Sequence, residues 1–155
     1  MTAHLLALAE ELKSFNLDAH RFLDAGMKAQ GASLARVKLL LFIERNTSVR
    51  STDLVESFGF APRTITEAID GLEREGFVCR VADPKDRRVK NIILTDAGRA
   101  VIRQVDPFRL AAIDAIFGVF SREEVAEFSR LLAKVNRHLA TLSPIAIDIQ
   151  AEVGA

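Results

Sequence analysis

A single cysteine, Cys79, stands among 155 residues, so neither an internal disulfide nor an all-cysteine metal site can form, and a reducing cytoplasm is the expected setting. No apolar run approaches the roughly 20 residues that a membrane-spanning helix needs, and no membrane role is expected. The opening residues lack a basic flank, and Glu10, Glu11 and Lys13 interrupt the apolar stretch after them, which argues against a signal peptide. Net charge is absent as well: 21 Lys and Arg balance 21 Asp and Glu, so any attraction to nucleic acid must be local. His4, His20 and His138 lie far apart without metal-ligand spacing, and neither a metal nor another cofactor is expected. No Ser-His-Asp set, phosphate loop or pair of acid–base carboxylates stands out, so the chain does not read as an enzyme. Repeats, low-complexity tracts and linkers are also missing.

What remains is the composition of a folded domain, 49% hydrophobic and 27% charged, long enough for one core. Its ends are helical by periodicity. Leu5, Leu8, Leu12, Phe15, Ala19 and Phe22 recur at alternating spacings of three and four, forming one long apolar seam. Val125, Phe128, Leu132, Val135, Leu139 and Leu142 repeat the pattern behind a capping box, Ser121 to Glu124. A third long helix opens at Thr95, with Val101, Val105, Phe108, Ala112 and Ala115 on one face. Ile102, Ile113, Phe117 and Phe120 lie on another, so this helix is expected to be buried on two sides and kinked at Pro107.

Between these segments the rhythm shortens. Residues 33–45 read as a helix with Leu34, Val37, Leu40 and Leu41 inward. Ser51 reads as the cap of a short helix reaching Phe58 and stopped by Gly59. Pro62 opens another helix, ended near Glu75 by Gly76. Residues 77–81 and 89–94 read as two strands of a hairpin with Asp83-Pro84 in its turn. Cys79 alternates with Phe77 and Val81 and is expected on their apolar face, where a buried thiol is unreactive. The expected class is mainly α with a small β-hairpin wing: a winged helix-turn-helix domain over 33–94, flanked by helical dimerisation segments at 1–30 and 95–142. Residues 143–155 read as a tail of uncertain order.

Two helices joined by a short Gly-containing turn form the arrangement whose second helix can enter a major groove. At 100° per residue, Ile65, Ala68, Ile69 and Leu72 gather on the core side, while Arg63, Glu67, Asp70 and Arg74 lie opposite. Arg63, Thr64 and Thr66 occupy the first turns, where base contacts fall; Arg suits guanine, and Thr offers a hydroxyl and a methyl. An ordinary solvated helix face fits these residues too, and the helix itself is net acidic. The hairpin shifts the balance. From Arg80 to Arg103 seven basic residues face three acidic ones, a net of +4, with Lys85, Arg87, Arg88 and Lys90 crowded near the tip. Such a tip can reach phosphates or a narrow minor groove.

The run from Leu54 to Val78, followed by Asp83-Pro-Lys-Asp-Arg-Arg88 and Ile93-Leu-Thr-Asp-Ala-Gly98, resembles the multiple-antibiotic-resistance regulator (MarR) family. The resemblance implies a homodimeric winged-helix transcriptional regulator, a repressor acting on double-stranded DNA at a near-palindromic operator. It implies that Arg88 enters the minor groove with Arg87 nearby, that Asp86 helps to hold the wing, and that Thr64 and Thr66 lie on the recognition helix. Lys85, Lys90, Ser51 and Thr52 are then expected at phosphates. Glu67 and Asp70 depart from the pattern, since exposed acids repel phosphate, although a Glu can accept from a cytosine amino group. A winged helix that has lost its operator and binds a protein partner is the alternative these acids suggest.

The terminal seams exceed what a small central domain can cover, and the dimerisation residues are expected to be Leu5, Leu8, Leu12, Phe15, Val125, Phe128, Leu132, Val135 and Leu139. Packing of the long helices on one another within a monomer is the competing reading. Relatives bind small aromatic or anionic effectors between the DNA-binding and dimerisation parts. His20, Arg21, Phe22, Met27 and Lys28 are placed to approach such a crevice, but an ordinary amphipathic helix is the favoured reading of each, and none is assigned to effector binding.

Overall fold

The computed structural model describes residues 2–142; the tail expected over 143–155 lies outside them. Six helices and one hairpin follow in order: α1 (Thr2–Ala29), α2 (Leu34–Asn46), α3 (Ser51–Phe58), α4 (Pro62–Arg74), β1 (Val78–Ala82), β2 (Lys90–Leu94), α5 (Asp96–Phe117) and α6 (Arg122–Leu139). The described residues divide into two compact units, one up to Asp114 and one from Ala115 onward.

The core of the first unit is aliphatic. Leu40, Ile43, Leu54, Ile65, Ile69, Leu72, Val78 and Ile92 are almost wholly buried, joining α2, α3, α4 and the hairpin. The inward set on α4, Ile65, Ile69 and Leu72 with Ala68 partly covered, is the one its wheel dictates. A second cluster of Met27, Leu34, Val37 and Val105 joins α1, α2 and α5, with Phe108 packed against it. There Gly26 faces Phe108 so closely that an added Cβ would fall 1.9 Å from the ring.

The strands pair antiparallel with Val78 opposite Leu94 and Ala82 opposite Lys90. Val49 adds an isolated bridge to Ile92, its N–H donating to the Ile92 carbonyl at 3.2 Å and its carbonyl accepting at 2.7 Å. That bridge ties the start of α3 to the hairpin. Below the sheet, Thr95 closes the junction with α5: its hydroxyl donates to the Gly76 carbonyl at 2.6 Å and accepts from the Gly98 N–H at 3.1 Å. The Leu-Thr-x-x-Gly motif is therefore a packing device, with Leu94 buried, Thr95 capping and Gly98 making room.

Several expectations need correction. Ser51 is the first residue of α3, not its cap; Arg50 holds the cap position, and the Asp53 carboxylate accepts the Arg50 N–H at 2.7 Å. The inward residues of the hairpin are Val78, Ile92 and Leu94, so Cys79 lies on the opposite face, half-buried beside an exposed Val81. Sequence alternation alone cannot choose between the two faces of a strand; the buried Val78 decides it. Leu41 does face inward, partly buried against both clusters, and α2 also buries Leu39 and Ile43, which lie outside the expected inward set. On α5, burial on two sides holds for Ile102 and Val105 but not farther along, where Ile113 and Ala115 are exposed.

In the second unit the capping box forms as expected: the Glu124 N–H donates to the Ser121 hydroxyl at 3.2 Å, and the Ser121 N–H donates to the Glu124 carboxylate at 2.8 Å. Phe120 stacks on Phe128 with ring centroids 5.7 Å apart. None of the residues of α6 is buried.

Candidate nucleic-acid interface

Residues 59–61 connect α3 to α4. Gly59 adopts φ +66 and donates its N–H to the Val55 carbonyl at 2.9 Å, a left-handed helix stop for which glycine is suited. Pro62 then starts α4 at a position where its missing N–H costs nothing. With Ile65, Ile69 and Leu72 anchored, Arg63, Thr64, Thr66 and Glu67 point outward and are exposed. The Thr66 hydroxyl donates to the Pro62 carbonyl at 2.9 Å, so toward a partner it offers lone pairs and a methyl.

The acidic residues of α4 are not bare charges. Arg63 Nε lies 2.8 Å from Glu67 Oε1. The Arg80 guanidinium, from β1, bonds Asp70 at 2.6 Å and also Glu73, whose carboxylate accepts the Arg80 N–H at 3.0 Å. Arg36, from α2, bonds Glu75, just past the helix end, at 2.7 Å. Partial burial opposes the charge on Arg80, but the bonds to Asp70 and Glu73 outweigh it and raise its pKa. Sequence inspection counted Arg80 among the basic residues of the hairpin, whereas its charge is spent on α4.

The wing is held from within by Asp83. One oxygen accepts the N–H groups of Lys85 at 2.8 Å and Asp86 at 3.3 Å, and the other accepts the Asn91 amide at 3.0 Å. Arg50 approaches the same carboxylate at 3.9 Å. The Asn91 amide and the Lys85 N–H, joined by Asp86 and Arg50, hold its pKa below the ordinary aspartate value despite some desolvation. Asp86 accepts the Arg88 N–H at 3.0 Å, and its carbonyl accepts from Val89 at 2.9 Å. Asp83 was missed as a wing-holding residue, although Asp-Pro followed by a second Asp is the sequence of a side-chain-closed turn. Lys85, Arg87, Arg88 and Lys90 are all exposed, and their side chains form no ion pair among the described residues.

Ser51 is half-buried and Thr52 exposed in the first turn of α3. Phe60, in the turn before α4, is another residue that sequence inspection passed over: it is 52% exposed and stacks on Phe58 at 6.2 Å. Leu5, Leu8, Leu12 and Phe15 on α1, and Val125, Leu132, Val135 and Leu139 on α6, are 40–63% exposed; Phe128 is half-buried. A cavity of about 240 Å³ lies between the start of α2, the end of α4 and α5, with Ser33, Arg36, Leu40, Glu75, Phe77 and Val101 in its wall. None of His20, Arg21, Phe22, Met27 and Lys28 lines it. Among the described residues no cluster of His, Cys, Asp and Glu could hold a metal ion, and no helix is long and apolar enough to cross a membrane.

This arrangement of helices and hairpin is shared with solved structures. AbsC, a MarR family transcriptional regulator from Streptomyces coelicolor, superposes with a TM-score of 0.75 at 21% identity, covering 89% of this chain and 95% of that one. A mutant MarR from E. coli complexed with operator DNA gives 0.74 at 22% identity, covering 85% and 95%. The fold is thus a winged helix with long flanking helices, as in those structures. The MarR family model matches residues 33–90, and the uncharacterized HTH-type transcriptional regulator YwhA of Bacillus subtilis is 31% identical over 87% of this chain and 95% of its own length. This chain belongs to the MarR family. The HTH-type transcriptional repressor YetL of Bacillus subtilis is also 31% identical, over 68% of this chain and 63% of its own length, just under two thirds. These relatives are transcriptional regulators rather than enzymes.

Proposed function

We propose that this MarR-family regulator is a cytoplasmic homodimeric repressor that reads a near-palindromic operator in double-stranded DNA. The observation that carries the reading is a division of charge. The acids of α4 are matched by arginines, whereas Lys85, Arg87, Arg88 and Lys90 at the wing are exposed and, among the described residues, form no ion pair. In the proposed complex Arg63, Thr64 and Thr66 meet base edges in the major groove, and Arg88 with Arg87 enters the minor groove. Lys85, Lys90, Ser51 and Thr52 meet phosphates, and Asp86, together with Asp83, keeps the wing in shape.

The Leu and Val side chains left 40–63% exposed along α1 and α6 support pairing of two copies. The domain division that goes with this reading is a DNA-binding part over 33–94 between dimerisation segments at 1–30 and 95–142. A small aromatic or anionic effector would enter the cavity beside Arg36, whose apolar wall would take a ring; a carboxylate there would have to displace Glu75 from the Arg36 guanidinium. Such a ligand regulates only by preferring one spacing of the two α4 helices over another. The protein-binding alternative is not favoured, since the acids that suggested it are already paired.

Selection from random duplexes followed by hydroxyl-radical footprinting tests the proposal. Two protected half-sites about one helical turn apart, related by a dyad, are expected. A single unrepeated footprint, or no enriched sequence, overturns it.

A further inference from the structure

One ion pair on α4 differs from the rest. Asp70, Glu73 and Glu75 are bonded to arginines of other elements, Arg80 or Arg36. Glu67 is bonded instead to Arg63, one turn before it on the same outward face, with side chains 63% and 88% exposed. A pair so exposed adds little to stability. What it does is fix an orientation.

The bond uses Arg63 Nε and Glu67 Oε1 at 2.8 Å. With Nε engaged, the side edge of the guanidinium is closed, and the end edge, formed by the two Nη groups, stays open. A guanine offers O6 and N7 in the major groove at the spacing of such a fork. Glu67 Oε2 makes no hydrogen bond among the described residues and is left as an acceptor on the same face. Base-edge donors in the major groove are the amino groups of cytosine and adenine, whereas thymine O4 and guanine O6 are acceptors that repel a carboxylate. The pair has no net charge, so it does little for phosphate attraction and acts on base choice.

Building on the DNA-binding reading above, we infer that Arg63 and Glu67 form one base-reading unit. Arg63 bonds a guanine end-on. Glu67 holds Arg63 in that pose and accepts from the amino group of a neighbouring cytosine, excluding thymine and guanine there. Glu67 is thus a specificity-determining residue, at the position where the sequence seemed least suited to DNA.

The test is enrichment from random duplexes, with sequencing, for wild type, Glu67→Ala and Glu67→Gln, alongside binding of each to unselected duplex. The wild-type half-site is expected to hold a fixed guanine beside a cytosine. In Glu67→Ala, discrimination at the cytosine falls roughly tenfold. In Glu67→Gln the preference moves toward adenine, whose edge a carboxamide bonds twice. Binding to unselected duplex stays level or rises a few-fold in both, since a negative charge is removed. Variants that select the wild-type half-site with undiminished discrimination overturn the inference while leaving DNA binding intact. If the wild type enriches no sequence at all, the DNA-binding reading falls and this inference with it.

Discussion

Gly98 packs so tightly beneath Phe77 that a Cβ on Gly98 would lie 2.1 Å from the Phe77 carbonyl oxygen. That oxygen is fixed, because it accepts the Thr95 N–H at 3.1 Å at the junction of hairpin and α5. In Gly98→Ala the helix-propensity gain of about 1 kcal/mol is expected to be overwhelmed by overpacking, for a net loss of about 2 kcal/mol. Thermal unfolding should show a Tm lower by roughly 4–8 °C. An unchanged or raised Tm would mean that the junction can open without cost.

Arg80 joins the recognition helix to the wing's first strand through Asp70 and Glu73. These groups are partly solvated, so Arg80→Gln should cost only about 1 kcal/mol of stability. Its effect on DNA should be larger, because two carboxylates on α4 lose their counter-charge. Affinity for a selected duplex is expected to fall about tenfold, and adding Asp70→Asn should recover part of it. A double-mutant cycle of binding constants checks this; strict additivity would contradict it.

Asp83 gives the wing a pH limit. Its folded pKa lies below the ordinary aspartate value, so its contribution is fully present above the unfolded value and is lost as pH falls through the folded one. The Asn91 side-chain amide, followed by NMR, should therefore shift with a midpoint below the ordinary aspartate value. Asp83→Asn should abolish that shift and weaken DNA binding several-fold at neutral pH. A midpoint at or above the ordinary value would contradict the account.

The seams separate monomer from dimer without ambiguity. Leu8 is 50% and Val135 59% exposed in one chain, so a charge at either site costs an isolated monomer within about 0.5 kcal/mol. Across a dimer interface the same charge would be buried unpaired. Leu8→Glu and Val135→Glu are expected to keep helical content and to raise the dimer dissociation constant at least tenfold, read by sedimentation equilibrium. A wild type that sediments as a monomer would overturn the proposed assembly.

Helix periods and turn residues in the sequence placed α2, α3, α4 and both strands within a residue, while the apolar seams carried α5 on to Phe120 and α6 on to Leu142, three residues past the end of each. Those signals are local, and the apolar face of α4 leaves one solution for Ile65, Ile69 and Leu72. The failures lie where a choice depends on tertiary contact. Which face of β1 goes inward depends on Val78 meeting the core, and alternation is silent on that. Charge counting grouped Arg80 with the wing cations, since a composition count cannot see that its guanidinium turns back to Asp70 and Glu73. Asp70 looked adverse to DNA for the same reason, since its partner on β1 appears only in three dimensions, whereas the i,i+4 spacing of Arg63 and Glu67 already allowed their pairing. The Val49 bridge is a single residue long, too short to leave a periodic trace.

The central claim is that the exposed cations of the wing bind DNA with Arg88 foremost. Fluorescence anisotropy of a selected duplex, with wild type and Arg88→Ala at two salt concentrations, tests it most directly. The account predicts wild-type affinity that falls steeply with salt, with Arg88→Ala about tenfold weaker and its log–log slope shallower by about one. Wild-type binding that is no tighter than that of Arg88→Ala at either salt concentration would contradict it.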